Sequence, residues 1–283
     1  LVAIADDQTV DSSSGASFAG ITLKAPSGAG VISPTSTLMQ EGNLTAAEVA
    51  DVLGLPDGVD PLNFNPFNVD ENDATAVAQA LEVAKISKQI TTAIKSFASA
   101  AEGAGASQSD SFEAALKSVV EVIKTKAENL TDPSAADADK ILDLTKTEDL
   151  SLIKTKTITE VSSKSGIDEV AFNSLIDDTA KSIENLNGQI EKIASLDSAS
   201  TKEIFATAKD LSDQIKVAFE AEVLSEGSGA IEYADENVLE TFASNIAPQD
   251  ITLSANKIYD GSSSLVVGTL ITKDIDQPEG EKF

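Results

Sequence analysis

Across the middle of this chain apolar residues return every three, four or seven positions, the spacing that lays one apolar stripe along a helix. Val77, Leu81, Ala84, Ile90, Ile94 and Phe97 follow it over 72–101. Phe112, Leu116, Val119, Val120 and Ile123 carry it into the next helix, which Asp110-x-x-Glu113 is expected to cap. Val170, Leu175, Ile176, Ile183, Leu186, Ile190 and Ile193 predict a helix over 168–195. Ile204, Ala208, Leu211, Ile215 and Phe219 predict another over 200–224. Shorter helices are expected over 135–144, 150–162 and 235–244. Thr45-Ala46-Ala47-Glu48 has the S/T-x-x-E form that satisfies the N–H groups at a helix start, so a short helix opens there and stops at Gly54. The prolines of 57–67, Gly103-Ala104-Gly105, Asp132-Pro133-Ser134 and the Gly-Ser stretch 225–230 break the pattern.

The two ends read differently. Leu1–Ile4, Ala19–Lys24 and Gly30–Ser33 are short apolar alternations separated by Ser- and Gly-rich turns, and predict strands. Near the other end Ile251 and Leu253 alternate with Thr252 and Ser254, and Leu265–Ile271 predicts a second strand after a turn at Asp260-Gly261-Ser262. The expected fold is mainly α: a small β element over 1–33, an irregular multi-helix bundle over 34–245, and a β segment over 246–283. The helices show no fixed repeat, which favours a bundle over a solenoid.

Composition narrows the chemistry. Hydrophobic residues make up 41% of the 283, yet aromatics only 4%, so the core must be built from Ala, Val, Ile and Leu. Net charge is −27, and all 20 basic residues are Lys. That potential repels phosphate backbones and anionic lipid, which argues against nucleic acid as a partner. No apolar run reaches the length of a membrane-spanning helix, so no membrane insertion is expected. Cys and His are both absent. Zinc sites of the common kinds, Ser-His-Asp triads and Cys-His pairs cannot be assembled, and only oxygen ligands for hard cations remain.

Two stretches resemble a known family. Asn245-Ile246-Ala247-Pro248-Gln249-Asp250-Ile251-Thr252-Leu253-Ser254, then Val266-Val267-Gly268-Thr269-Leu270, then Asp274-Ile275-Asp276, resembles the opening of a bacterial cadherin-like repeat. Its usual pattern runs N-x-A-P-x-D-I-x-L-S, V-G-x-L and D-x-D. Such a repeat takes roughly a hundred residues to close a β-sandwich. Only residues 249–283 remain, so the chain is expected to be an excerpt of a longer modular protein. At the front, Leu23-Lys24-Ala25-Pro26-Ser27-Gly28-Ala29 and Val31-Ile32-Ser33-Pro34-Thr35-Ser36-Thr37-Leu38 resemble a segment of giant bacterial surface proteins. Thr45–Ala50 and Leu53-Gly54-Leu55 occupy the matching helical places. Thr35 and Ser36 depart from the family's Leu and Thr, and Ile246 stands where that family often has an acidic or amide ligand.

What the resemblance implies is a non-enzymatic spacer or adhesive module, extracellular on a bacterial surface. Its partners would be neighbouring modules of the same protein, and cell-surface glycans or proteins at a distal tip. A subunit of a filament or surface layer, joined by strand addition at Leu1–Ile4 and Ile251–Ile271, is the alternative. Calcium is the implied ion, with Asp274 and Asp276 as the D-x-D and Asp260 where the family often has Glu. The Asx-rich stretch from Asp57 to Asp73 lacks EF-hand spacing and reads as turns and caps. None of the 47 acids is paired by spacing into an acid–base couple, and no enzyme is predicted.

Overall fold

The chain begins as a ribbon in which β1 (Val2–Ile4) pairs antiparallel with β2 (Thr22–Lys24), Val2 opposite Lys24 and Ile4 opposite Thr22. The computed structural model describes residues 1–5, 9, 21–196, 199–224, 231–235, 251–254 and 269–272. Seven α-helices follow the ribbon among these: α1 (Pro34–Gly42), α2 (Ala46–Leu53), α3 (Ala74–Gly103), α4 (Gln108–Leu130), α5 (Thr147–Ser162), α6 (Glu169–Glu191) and α7 (Ala199–Val223). Farther on, β3 (Ile251–Ser254) pairs antiparallel with β4 (Thr269–Thr272). The protein is mainly helical with a small N-terminal sheet. No helix among the described residues is long and apolar enough to cross a membrane.

Hydroxyl groups join ribbon to bundle. Ser33 is the N-cap of α1, with Pro34 in the first turn, and Ser33 and Ser36 cap each other's backbone reciprocally. Ser36 Oγ and Thr37 Oγ1 also donate to the Lys24 carbonyl, at 2.9 and 3.1 Å, and Thr37 Oγ1 accepts from the Lys24 N–H at 2.9 Å. The first turn of α1 thus takes both backbone groups that β2 offers at Lys24. This explains the buried hydroxyl residues Ser36 and Thr37, ahead of Leu38 and Met39 in the core, while Thr35 beside them shares its hydroxyl with Ser33.

α3 is the hub and packs against α4, α6 and α7. Its inner face is Ile90, Ala93, Ile94, Phe97, Ala100 and Ala101, all buried. Alanine lets neighbouring helices come close. A Cβ on Gly103 would stand 2.4 Å from the Lys216 carbonyl oxygen and 2.8 Å from Phe219 Cβ, so only glycine fits where α3 meets α7. Phe172 and Phe219 tilt together below, with ring centroids 5.9 Å apart.

Four expectations fail in instructive ways. Gly30–Ser33 is not a strand: the Gly30 and Val31 N–H groups both donate to the Leu62 carbonyl, at 2.9 and 3.1 Å, and Ser33 is already a cap. The stretch 135–144 is not a helix but one 3-10 turn at Asp137–Asp139. Its carbonyls are taken by side chains of α4: Lys126 Nζ donates to Ala138 and Ile141, and Asn129 Nδ2 to Asp139. Ser107, not Asp110, is the N-cap of α4. Asp110 stands three residues on and accepts from the Ser107 hydroxyl at 2.7 Å. Val77 and Val170 are exposed, each in the first turn of its helix, although both lie on a predicted stripe. α1 itself was not predicted as a separate helix. The predicted loop 225–230, the helix expected from 236 onward, the turn at 260–262 and the first part of the strand 265–271 lie outside the described residues.

Candidate functional site

The three acids expected to hold calcium, Asp260, Asp274 and Asp276, lie outside the described residues. The Asx-rich stretch does not point its oxygens at a common centre. Asp60 Oδ1 accepts from the Leu62 N–H at 3.0 Å, Asn65 Oδ1 from Phe67 at 3.0 Å and Asp70 Oδ1 from Asn72 at 2.9 Å. Asp73 caps α3. These are turns and caps, as the sequence suggested. The bonds from Asn72, backbone first and side chain second, hold the Asp70 carboxyl below its usual range. Among the described residues no three His, Cys, Asp or Glu side chains group as metal ligands.

What this stretch does build is a wall. Its backbone is clamped on both sides, to Gly30 and Val31 through the Leu62 carbonyl and to α3 through Gln79 Nε2, which donates to the Asp57 carbonyl at 2.8 Å. Between the wall and α3 lies an apolar cleft of about 200 Å³. Val59, Phe64 and Phe67 face it from the loop, Val31 and Pro34 from the segment entering α1, Val83, Ala84 and Lys88 from α3, and Phe205 from α7. Three of the chain's ten Phe meet at this one place. Phe67 remains exposed. Among the described residues Lys88 is the single ionisable one in the lining, and its Nζ sits 5.0 Å from the centroid of the Phe205 ring.

The hydroxyls around the cleft serve the helices. Ser33 caps α1 and shares a hydrogen bond with Thr35 at 2.8 Å, while Thr91 Oγ1 donates back to the Ser87 carbonyl at 2.8 Å. The arrangement accommodates an apolar body.

Farther along the same seam, a second, polar cleft of about 270 Å³ is lined by Lys95 and Glu102 of α3 and by Lys209, Asp213 and Lys216 of α7. Lys88, Lys95 and Glu102 recur every seven residues, as do Lys209 and Lys216, so both helices present charges to one seam. Burial, and after it the charge of Lys88, pushes the Lys95 ammonium below its usual range; Asp213 opposes this and Lys209 adds to it. Lys216 is pushed up chiefly by its 2.6 Å hydrogen bond to Glu102. Two of the seam's lysines are paired with its acids, Lys209 with Asp213 and Lys216 with Glu102.

Sequence reasoning missed the cleft because few aromatics seemed to leave nothing to line a site. One signal was present: Phe64-Asn65-Pro66-Phe67 puts two aromatics within four residues of a proline-rich loop. No family model, curated protein or solved structure matches the chain.

Proposed function

We propose that this chain is a non-enzymatic structural module of a large extracellular bacterial surface protein, a helical spacer between β modules. The resemblance of 20–55 and 245–276 to such proteins motivates the reading, and the acidic, thiol-free composition suits it. The observation that carries it is how the bundle is tied at both ends. At the front, β2 is bonded through Lys24 to the first turn of α1. At the back, Tyr233 is fully buried, its hydroxyl donates to Asp210 Oδ2 at 3.0 Å, and Asn185 Nδ2 donates to the carbonyls of Tyr233 and Ala234 at 3.0 and 3.1 Å. Tension along the chain would load these bonds before it reached the core. Pulling single molecules through handles placed before Leu1 and after Phe283 tests this. A discrete, cooperative rupture of the bundle is expected; gradual extension at low force would remove the spacer role. The cadherin-like assignment of 246–283, which β3 and β4 support only as a two-stranded pairing, is tested by the sequence that follows Phe283. Further V-G-x-L and D-x-D motifs there would extend it.

Asp260, Asp274 and Asp276 belong to the same proposal as calcium ligands, since carboxylates two apart on an extended chain project to one side. A calorimetric calcium titration is expected to lose its heat in the Asp274→Asn, Asp276→Asn double variant. Glycans or proteins of a cell surface are the partners proposed at the far end of the parent molecule. A second reading, strand addition between copies, draws on β1, where Val2 and Ile4, with Leu1 just before them, are exposed beside the pairing with β2. Sedimentation of the purified chain separates the two: a monomer favours the spacer, a growing polymer the filament.

A further inference from the structure

We propose that the cleft between the 57–67 loop and α3 is a binding site for a small uncharged molecule with a ring-sized apolar body, held among Val59, Phe64 and Phe205. The inference goes beyond the spacer reading and does not rest on it.

The cleft is held open before any ligand arrives. Gln79 Nε2 on one side and the Gly30 and Val31 N–H groups on the other fix the loop backbone, so the loop cannot fall onto α3 and close the space. Pro34, Pro61 and Pro66 in the lining stiffen it further, each with its φ locked by the ring. The size is suitable. A dry apolar cavity of about 150 Å³ takes a benzene ring, so about 200 Å³ takes a body of roughly six to nine carbons. Phe67, also in the lining, is left 63% exposed by a turn in which its N–H donates to Asn65 Oδ1. A body seated in the cleft takes part of that ring out of water.

The lining offers nothing new to a charge. Among the described residues no acid lines it, so a cationic head would lose hydration and gain no partner. Lys88 is already engaged, its Nζ 5.0 Å from the centroid of the Phe205 ring, so an anionic head would have to compete for it. The hydroxyls are mostly committed too. Ser33 and Thr35 share one hydrogen bond and Thr91 donates to the Ser87 carbonyl, which leaves Ser87 as the one hydroxyl of the lining without a partner among the described residues. The ligand is therefore uncharged and carries at most one hydroxyl.

The experiment is isothermal titration of the full chain with four molecules built on one benzene ring: ethylbenzene, 2-phenylethanol, phenylacetate and 2-phenylethylammonium. Saturable one-to-one binding of both uncharged molecules is expected, with each charged one weaker by about tenfold or more. The two charged molecules bracket the protein's own field, since a net charge of −27 attracts cations and repels anions at long range. A diffuse hydrophobic surface would rank the ammonium above the uncharged pair and would not saturate. Ser87→Leu, which fills the cleft from the α3 wall with a residue favourable to helices, should weaken both uncharged molecules about fivefold or more. Absence of saturable binding by the uncharged pair, a charged molecule binding as tightly as they do, or binding untouched by Ser87→Leu would each overturn the proposal. If the variant does not fold, the ranking of the four molecules on the unaltered chain still decides.

Discussion

Two junctions of this bundle join helices by opposite means. Where α4 meets α5, a charge is buried: Lys126 Nζ lies 2.7 Å from Asp149 Oδ1, with side chains only 4% and 10% exposed. Its other donors go to the carbonyls of Ala138 and Ile141 at 2.8 and 2.7 Å, and Asp149 Oδ2 accepts the Asp143 N–H at 2.7 Å. Where α3 meets α7, backbone approaches backbone at Gly103, and Lys209 and Lys216 stand outside, paired with Asp213 and Glu102 on the rim. The same residue type is framework in one place and surface in the other. The difference lies in what must be satisfied. The 131–146 connection has little helix of its own, so its carbonyls need donors from elsewhere, whereas α3 and α7 satisfy theirs internally. An ammonium with three donors is suited to the first task and unnecessary for the second.

Lys126→Met is the most damaging way to break this contrast. It strands a buried carboxylate and two carbonyls together, and a loss of about 3–5 kcal/mol in urea denaturation is expected. Replacing both partners, Lys126→Met with Asp149→Leu, should recover part of that loss, because no charge is then left alone. At the other junction Gly103→Ala presses a methyl against the Lys216 carbonyl and should cost about 1–3 kcal/mol. Gly188→Ala is its control. It sits inside α6 with nothing within 4 Å of the added Cβ, so about 0.4–1 kcal/mol of stabilisation is expected instead.

Tyr233 sharpens the comparison from a third place, where the chain settles on α6 and α7. Burial, followed by the hydrogen bond to Asp210 and that group's charge, raises the phenol well above its ordinary value. The folded state thus keeps its proton where the unfolded state releases it at a pH of about 10. Stability from this group is fully present below that pH and is lost as pH rises through it towards the folded value. Tyr233→Phe should lower stability by about 1–2 kcal/mol at neutral pH and flatten the fall above a pH of about 10. An unchanged alkaline slope in the variant would mean that the phenol is not the group responsible.

The long helices were legible because each keeps one apolar stripe over many turns: Ile183, Leu186 and Ile190 lie where period alone puts them. What was not legible is the polar framework, since its partners come from distant chain. Lys124 and Lys126 differ by two positions, yet one forms a rim pair with Glu121 and the other is buried. The signal was faint but present, because Lys126 falls three after Ile123 and seven after Val119, on the buried stripe. Asn187, four after Ile183 and three before Ile190, is a second polar residue on such a stripe, and donates to the Leu144 carbonyl at 3.0 Å. The cleft was harder still. Phe205 meets Phe64 only through the tertiary packing of α7 on α3, which no local spacing encodes.

The smallest effect belongs to the seam's outermost pair. Lys209 and Asp213 stand one turn apart on α7 and contact each other, but their side chains are 41% and 59% exposed. Water screens the attraction, both long side chains lose rotamer freedom to make it, and added salt weakens it further. Lys209→Ala should therefore change stability by no more than about 0.5 kcal/mol, and less in high salt. Set beside Lys126→Met, this predicts about a tenfold spread in free energy between two lysine–aspartate contacts. If Lys209→Ala instead cost as much as Lys126→Met, backbone donors would not be what separates the two junctions, and the lysines of the seam would have to be counted as framework too.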